Sequence, residues 1–313
     1  MKKVLITGAT GFVGNYLTDY LASKKEFEIY GTSLTDFESN DKIQIEKIDL
    51  TNFESVVGLI EKIKPDYLYH LAAFTSPAAS ISNPTPTVLG NIEIQMNVLN
   101  AVKNIGLNKT RLLVVSSGEV YGLVSKDDLP IDENTPMRPL NPYAVSKIAQ
   151  DFLSMQYSLT YDLDIVRVRP FNHTGPGQTP TFAIPSFSEQ IVRIEKGKQD
   201  PILKVGNLTA KRDFTDVRDI VKGYVLLLEK GIRGEVYNIG SGKSYQMKDL
   251  LDILLAFCNK KITIESDPSK FQPVGYEDFY CDYSKLNLLT EWKPEIPIEK
   301  TLQDTLDYWR KIV

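Results

Sequence analysis

One segment near the N-terminus constrains this chain more than any other. An apolar run over residues 4–7 stops at Gly8 and opens into Gly8-Ala9-Thr10-Gly11-Phe12-Val13-Gly14. Phe12, Val13, Tyr16, Leu17, Tyr20 and Leu21 then recur at three- and four-residue spacing. The run reads as a buried strand of a parallel sheet, and the recurrence as one face of a helix. Glycine at the first two positions of G-x-x-G-x-x-G permits a tight turn and lets the backbone approach a pyrophosphate; the third lets helix and strand pack closely. The helix start presents free N–H groups and its positive dipole end to phosphate. A glycine-rich match alone is weak evidence. Between a strand and a helix it specifies a dinucleotide site, with Gly8, Gly11, Phe12, Val13 and Gly14 facing the cofactor.

Strand and helix signals keep alternating. Strands are expected at 27–31, 43–48, 67–71, 111–116 and 165–169, and helices at Phe53–Ile63, 92–102 and 142–157. That order implies an α/β fold, a Rossmann-type doubly wound parallel sheet covered on both faces. After about residue 170 glycine and proline become frequent, and the later signals are a strand at Val236–Ile239 and helices at 247–258 and 302–312. The reading is an NAD(P)-binding domain over 1–170, with return segments near 214–240, and a smaller α/β substrate domain over 171–213 and 241–313.

Composition narrows the partners. A chain of 313 residues, 42% hydrophobic and 24% charged, can bury a sizeable core. A net charge of −4 gives no bulk attraction to nucleic acid or to an anionic membrane surface. The apolar run after Met1-Lys2-Lys3 is too short for a secretory signal, and none approaches the ~20 residues that span a bilayer. Cys258, Cys281, His70 and His173 lack metal-ligand spacing, so no metal site is expected, and the two thiols are expected to be free in a reducing cytoplasm.

The tip of the second strand bears on the choice of nicotinamide cofactor. NAD readers place an acid there for the ribose 2′-OH. This chain has Gly31-Thr32-Ser33-Leu34, and Asp36 comes late. Small hydroxyls, Ser33 among them, leave room for a 2′-phosphate, although no arginine follows to neutralise it. NADP(H) is favoured, with NAD(H) the alternative. Asp49 and Leu50, ending the third strand, either meet the adenine or form a strand-ending turn.

Asn141-Pro142-Tyr143-Ala144-Val145-Ser146-Lys147 opens a helix, with Asn141 suited to the N-cap and Pro142 to the first helical position. Tyr143 and Lys147, four apart, share one face. An adjacent ammonium is expected to lower the tyrosine pKa from its usual value near ~10, giving an acid/base suited to neutral pH. Ser116 and Ser117 end the buried strand before it, where a serine can orient a substrate oxygen toward Tyr143.

Taken in this order, the motifs resemble the extended short-chain dehydrogenases/reductases that modify nucleotide-activated sugars. The resemblance covers nearly the whole chain, through the glycine turn, His70-Leu71-Ala72-Ala73, Asn91, Ser117, the Tyr143/Lys147 pair and Trp292-Lys293-Pro294. It implies catalytic roles for Ser117, Tyr143 and Lys147. It implies a cofactor lined by Leu71, Ala72, Ala73, Asn91, Ser116, Pro170 and His173, the last as an orienting group. It also implies a homodimer built on the helices at 92–102 and 143–157.

Two later blocks, 167–178 and 205–219, resemble those reductases of the group that convert GDP-4-keto-6-deoxy-mannose to GDP-rhamnose. By that resemblance Asn172 touches the substrate and Arg212 binds its diphosphate, for which a guanidinium fork is well matched. The alternative for Arg212 is a surface ion pair with Asp213 or Asp216. Gly118 stands where many 4,6-dehydratases carry the Asp that protonates a departing hydroxyl, which disfavours elimination. The GDP-mannose dehydratases also lack that Asp and keep the Glu, so Glu119, either a catalytic or a structural carboxylate, leaves a dehydratase open. Gln272 stands before Pro273 where relatives usually carry an arginine to the nucleotide. The activity implied is NADPH-dependent reduction of the C4 ketone of a nucleotide-linked 4-keto-6-deoxy-hexose. A 4,6-dehydratase or 4-epimerase holding NAD(P) tightly is the alternative. A non-catalytic NAD(P)-binding protein is disfavoured, because such proteins commonly lose the Tyr/Lys pair.

Overall fold

A computed structural model describes residues 1–270 and 278–313. The first half runs β1 (Lys2–Thr7), α1 (Phe12–Ser23), β2 (Phe27–Ser33), β3 (Gln44–Lys47), α2 (Phe53–Ile63), β4 (Tyr67–His70), α3 (Pro77–Ser82), α4 (Pro84–Ile105), β5 (Arg111–Val115), α5 (Pro142–Tyr161) and β6 (Asp164–Pro170). The second half runs β7 (Asn172–Thr174), α6 (Ala183–Glu195), β8 (Ile202–Val205), β9 (Lys211–Asp216), α7 (Val217–Lys230), β10 (Val236–Ile239), β11 (Ser244–Gln246), α8 (Met247–Ala256), β12 (Thr263–Ser266), α9 (Ser284–Thr290) and α10 (Ile298–Ile312).

Seven strands pair in the order β10-β6-β5-β4-β1-β2-β3, all parallel. Alternate residues of each strand feed opposite faces. Val4 and Ile6 pack with Leu17 and Leu21 of α1 and Tyr224 and Leu228 of α7, whereas Leu5, Leu68 and Leu112 pack with α2, α4 and Tyr157 of α5. Burial on both faces is why these strands read as unbroken apolar runs. The strand order reverses between β1 and β4, and a crevice at the carboxyl ends of the strands is where such sheets bind ligands.

Local chemistry sets the helix ends that matter for the site. Asn141 accepts a hydrogen bond from Ala144 N at 2.8 Å and Pro142 occupies the first turn, so α5 begins where Tyr143 is needed. It stops at Asp162 in a left-handed conformation. α4 starts at Pro84, ahead of the apolar periodicity beginning at residue 92, and closes on Gly106 at φ 77°. The short α3 was not expected; Ser76 caps it by accepting from Ala79 N at 3.2 Å, and Pro77 follows.

Beyond β6, strands β11-β9-β7 form a small sheet and β8 pairs with β12. α6, α8 and α10 bury a separate apolar cluster that includes Phe187, Leu251, Leu306 and Trp309. Between 214 and 240 the chain leaves this small sheet at Asp216, and α7 and β10 return to the large one. A buried carboxylate ties α5 to the sheet. Asp151 accepts from Arg169 Nε at 2.7 Å and from Arg167, and all three residues are buried. Among the described residues no helix is long and apolar enough to cross a membrane. Cys258 and Cys281 are free thiols, the latter buried.

Candidate active site

The glycine turn has the shape a dinucleotide needs. Gly8 adopts φ 70°, and a Cβ there would meet the backbone of Ala72 at 3.0 Å. A Cβ on Gly14 would lie 2.5 Å from the carbonyl oxygens of both Gly8 and Ala9. Gly11, at φ −74°, caps α1 without any side-chain bond, so no side chain takes the first-turn N–H groups. The facing turn after β4 is held by Thr7, whose Oγ1 accepts from Leu71 N and Ala72 N, each at 3.2 Å. With its lone pairs so used, Thr7 donates to His70 Nδ1 at 2.9 Å. Burial and the Lys147 charge hold His70 neutral, its pKa down at about 3. These residues suit a bound dinucleotide: two turns held in close approach, with a glycine where a side chain would meet the facing backbone.

At the tip of β2, Thr10 Oγ1 donates to Ser33 Oγ at 3.2 Å, and Thr35 N donates to the same oxygen at 3.3 Å. Asp36 pairs with Lys47 at 2.8 Å on the surface. Asp49 Oδ1 accepts from Thr51 N and Thr51 Oγ1 at 2.9 and 2.8 Å, bonds that lower its pKa. Asn97 of α4 donates to the carbonyls of Leu50 and Thr51 at 2.9 Å each. Residues 49–51 are therefore a braced strand-ending turn, with Leu50 buried. Asn91 is fully buried and its amide is engaged locally: Oδ1 accepts from Phe74 N at 2.7 Å, and Nδ2 donates to Phe74 O at 3.1 Å and Ser146 Oγ at 2.9 Å. It braces the turn carrying Ala72 and Ala73 against α5.

The catalytic candidates converge at the ends of β5 and β6. Ser117 accepts from Glu119 N at 3.2 Å, starting the turn at Gly118–Tyr121, and its side chain lies close enough to Tyr143 to oppose the rise of the tyrosine pKa. Lys147 is buried, donates to Val115 O at 2.9 Å, and lies 5.9 Å from the centre of the Tyr143 ring. Ser116 Oγ donates to Lys147 O at 3.2 Å. Burial pulls the Lys147 pKa from 10.5 down to about 7. The expected lowering of Tyr143 is not what this geometry produces. Burial pushes its hydroxyl well above the ordinary range, the Ser117 contact opposes that, and Glu119 adds to it. Tyr143 is thus held protonated, the form a general acid requires.

Glu119 accepts from Asn141 Nδ2 at 3.3 Å, which places a carboxylate beside the N-cap of α5. Pro170 closes β6. His173 Nδ1 donates to Phe171 O at 3.0 Å, its ring stacks on Phe12 at 6.3 Å, and burial lowers its pKa, so the neutral imidazole braces the glycine turn. Asn172 opens β7 and Arg212 lies on β9, the adjacent strand. Arg212 Nη1 donates to Lys211 O at 2.7 Å. Asp216 is engaged by Arg218 at 2.7 Å, and Asp213 by Ser241, Gly242 and Cys281. Gln272 lies outside the described residues. Sequence reasoning missed Ser80, a buried serine of α3 that accepts from Tyr143 N at 3.2 Å; the Ser76-Pro77 start signal would have located its helix.

Comparison with known proteins accords with this arrangement. Residues 5–305 match the family model described as GDP-mannose 4,6 dehydratase. The chain is 34% identical to GDP-6-deoxy-D-mannose reductase of Pseudomonas aeruginosa, over 100% of this chain and 98% of the relative. It is 30% identical to UDP-glucuronate 4-epimerase of Thermodesulfobacterium geofontis, over 99% and 97%. A solved structure of RMD from Pseudomonas aeruginosa complexed with NADPH superposes with a TM-score of 0.88 at 33% identity, covering 100% of both chains. The chain, with its seven-stranded parallel sheet, thus belongs to the GDP-mannose 4,6-dehydratase family of extended short-chain dehydrogenase/reductase enzymes.

Proposed function

We propose that this chain reduces the C4 ketone of a nucleotide-linked 4-keto-6-deoxy-hexose, with NADPH as reductant and GDP-4-keto-6-deoxy-mannose as substrate, yielding GDP-rhamnose. The observation that carries the reading is the similarity, over the full chain, to GDP-6-deoxy-D-mannose reductase of Pseudomonas aeruginosa. Gly118 agrees with it, although the GDP-mannose dehydratases also lack an acid at that position. A Cβ on Gly118 would lie 3.1–3.2 Å from the ring of Phe171, a buried residue, so any larger side chain there would have to displace that ring. Carbonyl reduction needs no acid beyond Tyr143. Similarity along the full chain to the Pseudomonas reductase, and to a structure holding NADPH, supports the same substrate class and cofactor.

Gly8, Gly11 and Gly14 would hold the pyrophosphate, Ser33 the 2′-phosphate end, and Ala72, Ala73, Pro170 and Lys147 the nicotinamide half. When bound, the reduced nicotinamide supplies hydride. The chain's own residues do the rest. Ser117 Oγ hydrogen-bonds the substrate oxygen and orients it. Tyr143, kept protonated by burial, gives its proton to that oxygen as negative charge develops. Lys147, anchored on Val115 O, stabilises the phenolate left behind. Arg212 grips the diphosphate and Asn172 touches the sugar.

Glu119 favours a second reading. A carboxylate 3.3 Å from Asn141, one residue from Gly118, is a feature a dehydratase or epimerase uses. The experiment follows NADPH and NADH absorbance with purified protein and GDP-4-keto-6-deoxy-mannose. Stoichiometric loss of NADPH supports the reductase. Absence of any oxidation, with NAD(P) retained on the purified protein, supports the second reading.

The working unit in this proposal is a homodimer. Val145, Phe152 and Leu159 on α5, with Leu89 and Met96 on α4, stand seven residues apart and are 37–76% exposed, one apolar stripe on each of two helices that pack together. A second copy covering both stripes forms a four-helix interface.

A further inference from the structure

We propose that Asp213 is a positioning residue that holds the substrate-binding strand against the cofactor sheet and so sets affinity for the nucleotide diphosphate. The proposal rests on the reading of Arg212 as the diphosphate ligand.

Arg212 and Asp213 are neighbours on β9, so their side chains leave opposite faces of the strand. Arg212 is half-buried, and Asp213 is fully buried. The Asp213 carboxylate is surrounded by donors. Oδ1 accepts from Ser241 N at 2.7 Å and Ser241 Oγ at 2.6 Å; Oδ2 accepts from Gly242 N at 3.0 Å and Cys281 N at 3.3 Å. Its own N–H donates to Phe279 O at 2.8 Å. Three segments meet on this one side chain: the strand carrying Arg212, the turn leaving β10 of the seven-stranded sheet, and the chain at 279–281. β7, which opens with Asn172, pairs with β9 through Asn172↔Phe214, so both substrate candidates ride on the same small sheet.

The turn is built around the carboxylate. Gly242 sits at φ 67°, and a Cβ on Gly240 would lie 2.8 Å from Asp213 Oδ2 and 2.6 Å from Cys281 Sγ. Burying a carboxylate is costly unless its oxygens are well bonded, and here they are. A donor set this complete defines the distance between β9 and β10 more tightly than apolar packing would. An arginine fork must meet both phosphates while the sugar stays over the cofactor, and a misplacement of ~1 Å is enough to cost large factors in such sites.

The test uses the full-length protein and three variants. Asp213→Asn puts an amide N–H₂ against backbone N–H donors. Ser241→Ala removes the 2.6 Å bond to Asp213 together with the local contacts of Ser241 Oγ to Lys243, and preserves the carboxylate. Arg212→Ala is the reference. Titration calorimetry reads the Kd for GDP on NADPH-saturated protein, and fluorescence reads the Kd for NADPH. Asp213→Asn is expected to weaken GDP on the order of tenfold or more, and Ser241→Ala by a smaller factor. NADPH affinity should stay unchanged in both. If Arg212→Ala weakens GDP and neither of the others does, the positioning role is overturned while Arg212 stands. If Arg212→Ala leaves GDP binding intact, the Arg212 reading fails and the proposal falls with it. Equal loss of GDP and NADPH in Asp213→Asn overturns the proposal by making the residue a general structural support. Should Asp213→Asn not fold, Ser241→Ala decides alone.

Discussion

Lys147 gives the sharpest quantitative test of the site, because its placement costs stability in a pH-dependent way. It is 4% exposed, and burial takes its pKa from 10.5 to about 7. At 1.36 kcal/mol per pH unit, that fall corresponds to a cost of about 5 kcal/mol for holding the charged amine in the free protein. The sign follows from proton counting. Between about pH 7 and 10.5 the unfolded chain holds a proton that the folded chain has released, so stability rises with pH in that window. Below about pH 7 both states are protonated and the whole cost is present. Lys147→Met keeps the length of the stem and removes the amine. The variant should therefore be more stable than the parent at pH 6.5, by up to about 5 kcal/mol less the lost bond to Val115. The gap should close by about 3 kcal/mol between pH 7 and 9.5, because only the parent gains stability as pH rises. Urea unfolding of both proteins at pH 6.5, 8 and 9.5 measures it, other titrating groups cancelling in the difference. A gap that stays constant across that range refutes the buried-amine argument. Turnover of the variant should fall ~100-fold or more, a trade of activity for stability.

Tyr143→Phe should cut turnover by about 10²–10⁴ with NADPH affinity intact; near-normal rates sink its role as the acid. Gly14→Ala drives a methyl to 2.5 Å from two carbonyl oxygens, so NADPH binding by fluorescence should be lost, and retained affinity would refute the close-approach argument. Asp151→Ala leaves the buried guanidinium groups of Arg167 and Arg169 facing each other, and chemical denaturation should show a loss of about 3–5 kcal/mol; a loss under about 1 kcal/mol contradicts the account. Leu159→Glu, on a side chain 76% exposed, should give a folded monomer by sedimentation velocity if the α4/α5 stripes pair two copies, whereas an unchanged sedimentation coefficient rules out that interface.

Much of the fold was legible because its signals are local. Strands buried on both faces appear as continuous apolar runs, as over residues 111–115, and helix starts carry their own chemistry, as Asn141-Pro142 does. The glycines of the first turn were readable for the same reason, since the tightness they permit is a property of the backbone itself. The second half was less legible. β8, β9 and β12 are short and mixed in polarity, and their pairing partners, not their own periodicity, make them strands. α7, buried along one face, went unread because it sits among short elements that masked its spacing.

The sequence alone determined the parallel α/β architecture, the glycine turn between β1 and α1 and the sharing of one helical face by Tyr143 and Lys147, since each is encoded within a few residues or one helical turn. Tertiary structure decided what no local pattern contains. It brought Ser80 to Tyr143 N, Thr7 to His70, and Asp213 to both Ser241 and Cys281, pairs far apart in the chain. It also set the sign of the Tyr143 shift. Spacing along the helix puts an ammonium nearby and argues for a lowered pKa, but only the packed core shows how completely water is excluded, and that exclusion, with the Glu119 charge adding to it, raises the pKa against the opposing Ser117 contact.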